Sequence, residues 1–312
     1  MAPQIPAERR PSLYFGAVIM NMRQQLFKTV ESILAEDERL VLLLGDIGVF
    51  GFRKAFEAFK GRVYNIGILE QSTISLAAGL SMEGFIPVVH SIAPFVVERC
   101  LEQLKIDFCY QGIGGNFISI GSSYDYAALG CTHHCPGDVG ILKNLPGMEV
   151  ILPGTAREFD TLFRQSYANN NPTYFRLSER ENRRQCNVKF AKAEVIKQGK
   201  KATVIAVGPI LEAVLEAGSD LDITILYYTT IFPFDADTLR KNARSSKILV
   251  CEPYYWGALS SEIMQAMRPK AVRLEHIGVP YRMLTNYGLA GEHDECLGLT
   301  PAKIREKIIK LE

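Results

Sequence analysis

Hydrophobic and polar residues follow two alternating patterns along the first two-thirds of the chain. Residues 18–36 carry apolar side chains at helical spacing, and the run Leu40–Leu44 that follows is continuously apolar and ends at Gly45-Asp46. The first pattern predicts an amphipathic helix, and the second predicts a buried strand with a loop at its carboxyl end. Further strands are predicted at 63–68, 86–89, 116–120 and 149–151, and further helices at 72–84 and 95–109. Such alternation predicts a mostly parallel sheet covered by helices.

The pattern changes near Ser178. A charged, weakly apolar stretch predicts a linker with an edge strand, and beyond it strands are predicted at 203–207, 223–227, 248–251 and 271–274. We therefore expect an α/β protein with two domains, each a mostly parallel sheet covered by helices. The predicted parts are an N-terminal arm (1–15), a first domain (16–180), a linker (181–200) and a second, smaller domain (201–312).

Composition and charge narrow the functional classes. The 312 residues are 47% apolar, and the charged side chains nearly cancel, with a net charge of +1 and a pI near 7.6. This balance gives no field that would attract nucleic acid or a membrane surface. The seven cysteines are scattered and odd in number, which is typical of a reduced intracellular protein. With no signal-peptide pattern and no apolar run of about 20 residues, we expect a cytoplasmic protein without nucleic-acid or membrane partners.

The stretch Gly130–Asp138, GCTHHCPGD, concentrates reactive side chains. It could be a metal site, a cysteine nucleophile beside its base, or a loop that meets a small-molecule substrate. A closed zinc site needs four ligands, and no second Cys/His pair has a matching spacing, so we expect this chain to hold no metal by itself. A nucleophilic cysteine needs a base and an electropositive setting, and only the adjacent histidines could supply them.

Glu70 stands where a predicted buried strand passes into a helix rich in small residues, within the segment Asn65–Gly84. Ligands collect at the carboxyl ends of strands in open parallel sheets, so this carboxyl is a candidate for binding or catalysis. The alternative is that Glu70 only stabilises the positive N-terminus of its helix. Spacing alone leaves both interpretations open.

Several landmarks, in register along the chain, resemble those of one family. They are Gly45–Gly48, Asn65–Glu70, Gly84–Pro87 with Phe95, Gly130–His133, Phe232–Asp235 and the segment from Glu252 onward. Residues 15–180 resemble the pyrimidine-binding domain of transketolase-type thiamine diphosphate enzymes, and residues 200–312 resemble the C-terminal domain of the same family. The resemblance implies a transferase that depends on thiamine diphosphate.

The same resemblance implies roles around the cofactor. The carboxyl of Glu70 would bond N1′ of the pyrimidine and so promote loss of the proton from C2 of the thiazolium. Phe95 would lie against the pyrimidine face, although a core position is the commoner place for a phenylalanine. Ile47 matches a bulky apolar position that supports the bent cofactor. Ile92 and Glu98 stand where common transketolases have aromatic residues, which implies a less aromatic pocket.

The histidine loop would lie over the reacting end of the cofactor. There His133 would hydrogen-bond substrate oxygens and could move protons. His134 would be a second polar wall or a structural residue. Arg23 matches a family arginine on the first helix that would grip the substrate.

Other substrate positions depart from the family pattern. Four positions that carry polar or charged residues in common transketolases are occupied here by Phe50, Gly121, Leu129 and Glu179. Their combined loss implies a specialised sugar or keto compound rather than ordinary pentose phosphates.

The motif that holds the diphosphate in this family has no counterpart in the chain. Its Gly-Asp-Gly is matched only by Gly45-Asp46-Ile47 and Gly137-Asp138-Val139, which lack the third glycine. The resemblance therefore implies the C-terminal subunit of a split enzyme, whose N-terminal partner subunit brings the diphosphate site and Mg²⁺, most simply as an α2β2 assembly. The expected reaction is transfer of a two-carbon ketol unit. The alternatives are decarboxylating 2-oxo acid acyl transfer, as in 2-oxo acid dehydrogenase β subunits or 1-deoxyxylulose-5-phosphate synthase, and a non-catalytic scaffold.

Overall fold

The computed structural model describes residues 20–312, and the predicted arm at 1–15 lies outside them. The strands, in chain order, are β1 (Leu40–Leu44), β2 (Val63–Asn65), β3 (Ile86–Ile92), β4 (Gly115–Ile120), β5 (Glu149–Ile151), β6 (Pro172–Arg176), β7 (Glu194–Lys197), β8 (Ala202–Val207), β9 (Ile223–Tyr228), β10 (Thr230–Phe232), β11 (Lys247–Tyr255) and β12 (Arg273–Val279). The helices are α1 (Met22–Glu36), α2 (Arg53–Ala58), α3 (Glu70–Met82), α4 (Ala93–Val96), α5 (Leu101–Gln103), α6 (Asp138–Leu142), α7 (Ala156–Ser166), α8 (Leu211–Ala217), α9 (Ala236–Asn242), α10 (Ser260–Met267), α11 (Ala290–Leu297) and α12 (Pro301–Leu311). Over this same span, every helix is too short or too polar to cross a membrane.

The first sheet has seven strands in the order β10-β5-β6-β4-β3-β1-β2. All neighbours are parallel except β10, which pairs antiparallel with β5. All five residues of β1 are buried, because helices cover both faces of a parallel sheet. The second sheet has five strands in the order β12-β11-β8-β9-β7, and only β7 is antiparallel to its neighbour. Two mostly parallel sheets covered by helices confirm the predicted α/β class.

One strand confirms the edge strand predicted in the charged stretch after Ser178, and another joins the sheet of the other predicted domain. The edge strand β7 lies inside the predicted linker 181–200 and belongs to the second sheet. The strand β10 lies inside the predicted second domain, yet it forms the edge of the first sheet. The two halves therefore share a sheet, and the domain boundaries stay a prediction.

The helix predicted at 18–36 begins at Met22 because Asn21 caps it. The side chain of Asn21 accepts a hydrogen bond from the Gln24 amide (2.8 Å), and the Asn21 amide donates to the Gln24 side chain (3.0 Å). This reciprocal pair satisfies two amides that the helix leaves free at its start. The apolar stripe at Leu26, Val30 and Ile33 is buried, as its helical spacing requires.

The segment predicted as one helix at 95–109 is broken. The structure divides it into α4, a turn at 97–100, α5 and a π-helix at Leu104–Tyr110. Local departures from α-helical geometry of this kind are frequent at functional sites. The break places Phe95, Glu98 and Arg99 on short, irregular backbone at the carboxyl end of β3.

Candidate active site

The candidate residues lie along one edge of the first sheet. The parallel strands β1 to β4 have their carboxyl ends at this edge, and the segments that follow them carry Ile47, Glu70, Ile92, Phe95, Glu98, His133 and His134. Arg23 lies in the first turn of α1, the turn farthest from the start of β1, and so belongs to the same edge. Ligands of open parallel sheets bind along such an edge.

The turn that presents Glu70 is fixed by polar contacts between two loops. The side chain of Asn65 accepts hydrogen bonds from the backbone amides of Asp46 (2.9 Å) and Gly67 (3.2 Å), and it donates to the Asp46 carboxylate (2.9 Å). Gly67 has a φ of +84°, a conformation that favours glycine. These contacts tie the end of β2 to the end of β1, so Glu70 begins α3 at a defined place.

Glu70 is a buried carboxylate with a partner that the sequence pattern does not predict. Its side chain is 4% exposed, and Arg99 Nη1 donates a 2.6 Å hydrogen bond to its Oε2. The guanidinium carbon of Arg99 lies 4.2 Å from the ring centroid of the half-buried Phe95. Arg99 thus bridges the carboxylate and the aromatic face.

The two contacts of Arg99 can be compared with those that the pyrimidine of thiamine diphosphate would make with Glu70 and Phe95. A guanidinium is flat, carries N–H donors in its plane, and stacks on aromatic faces. An aminopyrimidine ring protonated at N1′ is also flat and presents an N–H donor in its plane. Because the two side chains already hold a group of this shape and polarity, they fit the cofactor.

His133 stands beside Phe95 on a half-exposed loop. The two rings make an edge-on contact with centroids 5.5 Å apart, and the ring of Tyr126 lies 6.4 Å away on another side. The Nδ1 atom of His133 is 3.0 Å from the Thr132 hydroxyl. If that contact is kept, Nε2 remains available to a substrate.

The side chain of His134, unlike that of His133, is directed into the protein. It is buried, and its ring lies edge-on to His293 of α11, with centroids 5.5 Å apart. Within residues 20–312, neither of its ring nitrogens has a hydrogen-bond partner, and the same holds for Nε2 of His293. Burial lowers the pKa of His134, so the ring is held neutral between the two halves of the chain.

The cysteines of the histidine loop show no arrangement for metal binding or nucleophilic attack. Cys131 is exposed, whereas Cys135 is buried with its thiol directed at Glu98. Burial raises the pKa of Cys135 well above its ordinary value, and a thiol in that state is a poor nucleophile. Over residues 20–312, no three His, Cys, Asp or Glu side chains come together as a metal site would need.

An enclosed ion pair supports the end of this loop. Arg176 Nε donates to Asp138 Oδ2 (2.7 Å), and the hydroxyl of Tyr174 donates to the same oxygen (2.9 Å). Arg176 also donates to the Ser123 hydroxyl, which in turn bonds the carbonyl of Pro253 in the second half of the chain. The sequence signal for this pair is the arginine that ends β6, directly after Tyr174 and Phe175.

The remaining candidates lie farther from the Glu70–Phe95 pair. Ile47 and Ile92 are half-buried and pack against the core. Glu98 borders a cavity of about 580 Å³ between the two halves of the chain, and desolvation raises the pKa of its carboxyl. Arg23 is exposed and lines a cavity of about 360 Å³ together with Tyr126 and Glu179.

Tyr126 also explains the glycine at 121. A Cβ atom at Gly121 would lie 2.4 Å from the Tyr126 ring, and the φ of +72° there favours glycine as well. The space for a side chain at 121 is therefore filled by the tyrosine. This exchange could not be predicted, because it depends on a loop that folds back after β4.

Comparison with known families now decides the assignment. The family model for the transketolase pyrimidine-binding domain matches residues 19–185, and the model for the transketolase C-terminal domain matches residues 191–304. The chain belongs to the transketolase family.

Curated relatives of this transketolase-family chain extend over nearly its full length. It is 37% identical over 284 residues to an uncharacterised 33.6 kDa protein in the fasciation locus of Rhodococcoides fascians, covering 90% of this chain and 91% of that protein. It is 29% identical over 282 residues to the 6-deoxy-6-sulfo-D-fructose transketolase subunit SqwH of Clostridium sp. (strain MSTE9), covering 86% and 87%. It is 26% identical over 296 residues to an apulose-4-phosphate transketolase subunit of Phocaeicola vulgatus, covering 86% and 94%.

Solved structures agree on the fold. A split-gene transketolase, described as an inactive β4 tetramer, superposes with a TM-score of 0.81 at 23% identity, covering 94% of this chain and 98% of that one. The transketolase of Campylobacter jejuni gives 0.79 at 15% identity and covers 95% of this chain, which spans 48% of that enzyme. Membership of the transketolase family implies thiamine diphosphate as the cofactor.

Proposed function

We propose that this chain is the C-terminal subunit of a split, thiamine diphosphate-dependent transketolase that transfers a two-carbon ketol unit. One observation carries the proposal: a buried carboxylate and a half-buried aromatic face stand at the carboxyl edge of the sheet and together hold a flat N–H donor. A scaffold that had kept only the fold would have no need of this pair.

The residues divide the work as follows. When bound, thiamine diphosphate supplies a carbon nucleophile that attacks a carbonyl and then stores negative charge. Glu70 would accept a hydrogen bond from the pyrimidine and Phe95 would stack on its ring, while the apolar side chains of Ile47 and Ile92 would keep water away from it. His133 bonds a substrate oxygen through Nε2 and moves a proton at that atom.

The roles of the outer residues follow from their positions. Arg23, exposed on its own cavity, binds an anionic or hydroxyl-bearing end of the substrate. Glu98 borders the neighbouring cavity and adds a polar wall there. His134, buried against His293, acts as a structural link between the two halves rather than as a substrate ligand.

A partner subunit is supported by apolar surface next to the site. Phe50 and Ile68 are 80% and 65% exposed, and Leu69 and Leu76 are also exposed beside Glu70. Exposed apolar groups gathered in this way mark a surface that another chain covers. We propose that an N-terminal transketolase subunit covers it, brings the diphosphate site and Mg²⁺, and forms an α2β2 assembly in the cytoplasm.

The substrate we propose is a specialised sugar. The filling of the space at Gly121 by Tyr126 and the exposed Leu129 alter the pocket around His133. Two relatives are named for unusual sugars, apulose 4-phosphate and 6-deoxy-6-sulfofructose. Decarboxylation of a 2-oxo acid is the second candidate, since 1-deoxy-D-xylulose-5-phosphate synthases match at 25–28% identity.

Calorimetric titration of thiamine diphosphate with Mg²⁺ tests the proposal. We expect binding by the chain co-purified with its partner subunit and none by the chain alone. Binding by neither preparation would overturn the cofactor assignment and favour a scaffold. With a binding complex in hand, product analysis separates ketol transfer from release of CO₂ by pyruvate-like donors, and CO₂ release would reverse the order of the two candidates.

A further inference from the structure

Arg99 contacts the Glu70–Phe95 pair at the two points that a pyrimidine ring would need. Within residues 20–312 it is the side chain that hydrogen-bonds to the Glu70 carboxylate, through Nη1 at 2.6 Å. The same guanidinium stacks on Phe95 at 4.2 Å. A pyrimidine bonded to the same carboxylate oxygen and stacked on the same ring face would take the place of the guanidinium.

We propose that Arg99 is a displaceable occupant of the pyrimidine site. It pairs with the buried Glu70 carboxyl and covers the Phe95 face in the free chain, and it leaves when the cofactor binds. This inference rests on the proposed function, and it adds a residue that sets the affinity of the subunit for thiamine diphosphate.

The structure gives Arg99 the freedom to leave. Its side chain is 38% exposed, and it stands in the turn at 97–100 between two short helices. A pair with one partner this exposed to solvent is worth a factor of roughly five or less in equilibrium terms. Released from Glu70, the long side chain extends into water with its charge solvated.

Competition between Arg99 and the cofactor predicts the direction in which the dissociation constant of the cofactor changes. When a protein must first vacate its own site, its apparent dissociation constant rises by the inverse of the vacant fraction. Removing Arg99 should therefore tighten cofactor binding, by roughly two- to five-fold if the pair has the strength above. An arginine that instead contacted the bound cofactor would have the opposite effect.

The test is calorimetric titration of thiamine diphosphate with Mg²⁺ into the complex of this chain with its partner subunit. Arg99→Gln should lower the dissociation constant, and Arg99→Lys, which keeps the charge but loses the flat fork, should give an intermediate value. The matched control is Arg39→Gln, because Arg39 makes an exposed fork with Asp37 at the opposite edge of the sheet, ahead of β1. That variant should bind like the wild type.

Two outcomes are decisive in different ways. Unchanged or weaker binding by Arg99→Gln, in a complex whose wild type binds normally, would overturn the inference and leave the proposed function intact. Absence of binding by the wild-type complex would overturn the proposed function, and the inference would fall with it.

A second readout excludes an indirect structural effect. In the Arg99→Gln complex, guanidinium ion at low millimolar concentration should re-enter the vacated place and weaken cofactor binding, whereas sodium chloride at equal ionic strength should not. In the wild-type complex the two salts should act alike. If guanidinium fails to compete in the variant, the tighter binding does not come from a vacated site, and the inference is wrong.

Discussion

Two carboxylate–arginine pairs beside the first sheet have nearly the same donor–acceptor distance and opposite surroundings. Arg99 approaches Glu70 to 2.6 Å, and Arg176 approaches Asp138 to 2.7 Å. Both partners of the second pair are enclosed and make further hydrogen bonds, whereas the Arg99 side chain is 38% exposed. The distance within an ion pair therefore does not decide its role: the enclosed pair holds a loop in place, whereas we propose that the open pair is broken when the cofactor binds.

The largest expected effect breaks the enclosed pair. Arg176→Met leaves the Asp138 carboxylate charged, buried and without its cation, so we expect a loss of about 3–5 kcal/mol in the free energy of unfolding. Urea denaturation of the chain measures it. In the double variant Arg176→Met/Asp138→Asn the loss should be smaller, because no isolated charge remains. A single-variant loss below about 1 kcal/mol would mean that water reaches the site.

Replacing Glu70, the carboxyl partner of the open pair, should lower turnover rather than stability. Glu70→Gln keeps the shape of the side chain but removes the carboxyl that would bond N1′, so we expect turnover of the assembled enzyme to fall by about 10²–10³-fold. Glu102→Gln, on the exposed face of α5, is the matched control. Steady-state kinetics and a urea curve on the same preparations separate the two effects. Full activity in Glu70→Gln would contradict the assigned role.

His90 sharpens the comparison, because it is a buried polar group without a charged partner. Burial lowers its pKa to about 4 from an ordinary 6.5, and its Nδ1 bonds the carbonyl of Ile118. The unfolded chain takes up a proton below pH 6.5 while the folded ring stays neutral until about pH 4. Stability should therefore fall by about 1.5–2 kcal/mol between pH 6.5 and pH 5 on account of this residue.

Urea denaturation at several pH values, with His90→Gln as the reference, isolates that contribution. The reference variant is necessary because a second group titrates in the same range. Burial raises the pKa of Glu158 to about 6, so protonation of this carboxyl stabilises the folded protein as the pH falls. Equal slopes in the wild type and the variant would show that His90 titrates normally.

The smallest expected effect belongs to the open arginine. Arg99→Gln should change the free energy of unfolding by less than about 1 kcal/mol, because water solvates much of the guanidinium in the folded chain. Thermal and urea denaturation of the chain alone check this value. A loss as large as that of Arg176→Met would make the two pairs equivalent and end the distinction between them.

The two pairs also show which features could be predicted from the sequence and which could not. Leu40–Leu44 and the Glu70 turn could be predicted because each is a local pattern, an apolar run or a carboxyl at a strand-to-helix junction. Arg99 meets Glu70 across 29 residues, and Arg176 meets Asp138 across 38. Such contacts depend on the register of neighbouring strands, which periodicity does not specify.

Other differences come from tertiary structure overriding local preference. The segment at 95–109 has a helical pattern, yet the turn at 97–100 and the π-helix beyond it break it where the backbone lines the site. The strand β10 is too short to be predicted from its composition and forms only because β5 offers an open edge. His134 could be assigned a place only once His293, from the far end of the chain, stood against it.

The pairing of β10 with β5 at the edge of the first sheet has a consequence for synthesis of the chain. As synthesis proceeds from the N-terminus, β5 leaves the ribosome with one side unpaired and waits until Thr230–Phe232 emerges to complete the sheet. An open edge of this kind readily pairs with other chains. The first half of the molecule is therefore most liable to misassemble during synthesis. A product truncated before Thr230 should aggregate rather than accumulate as a stable fragment.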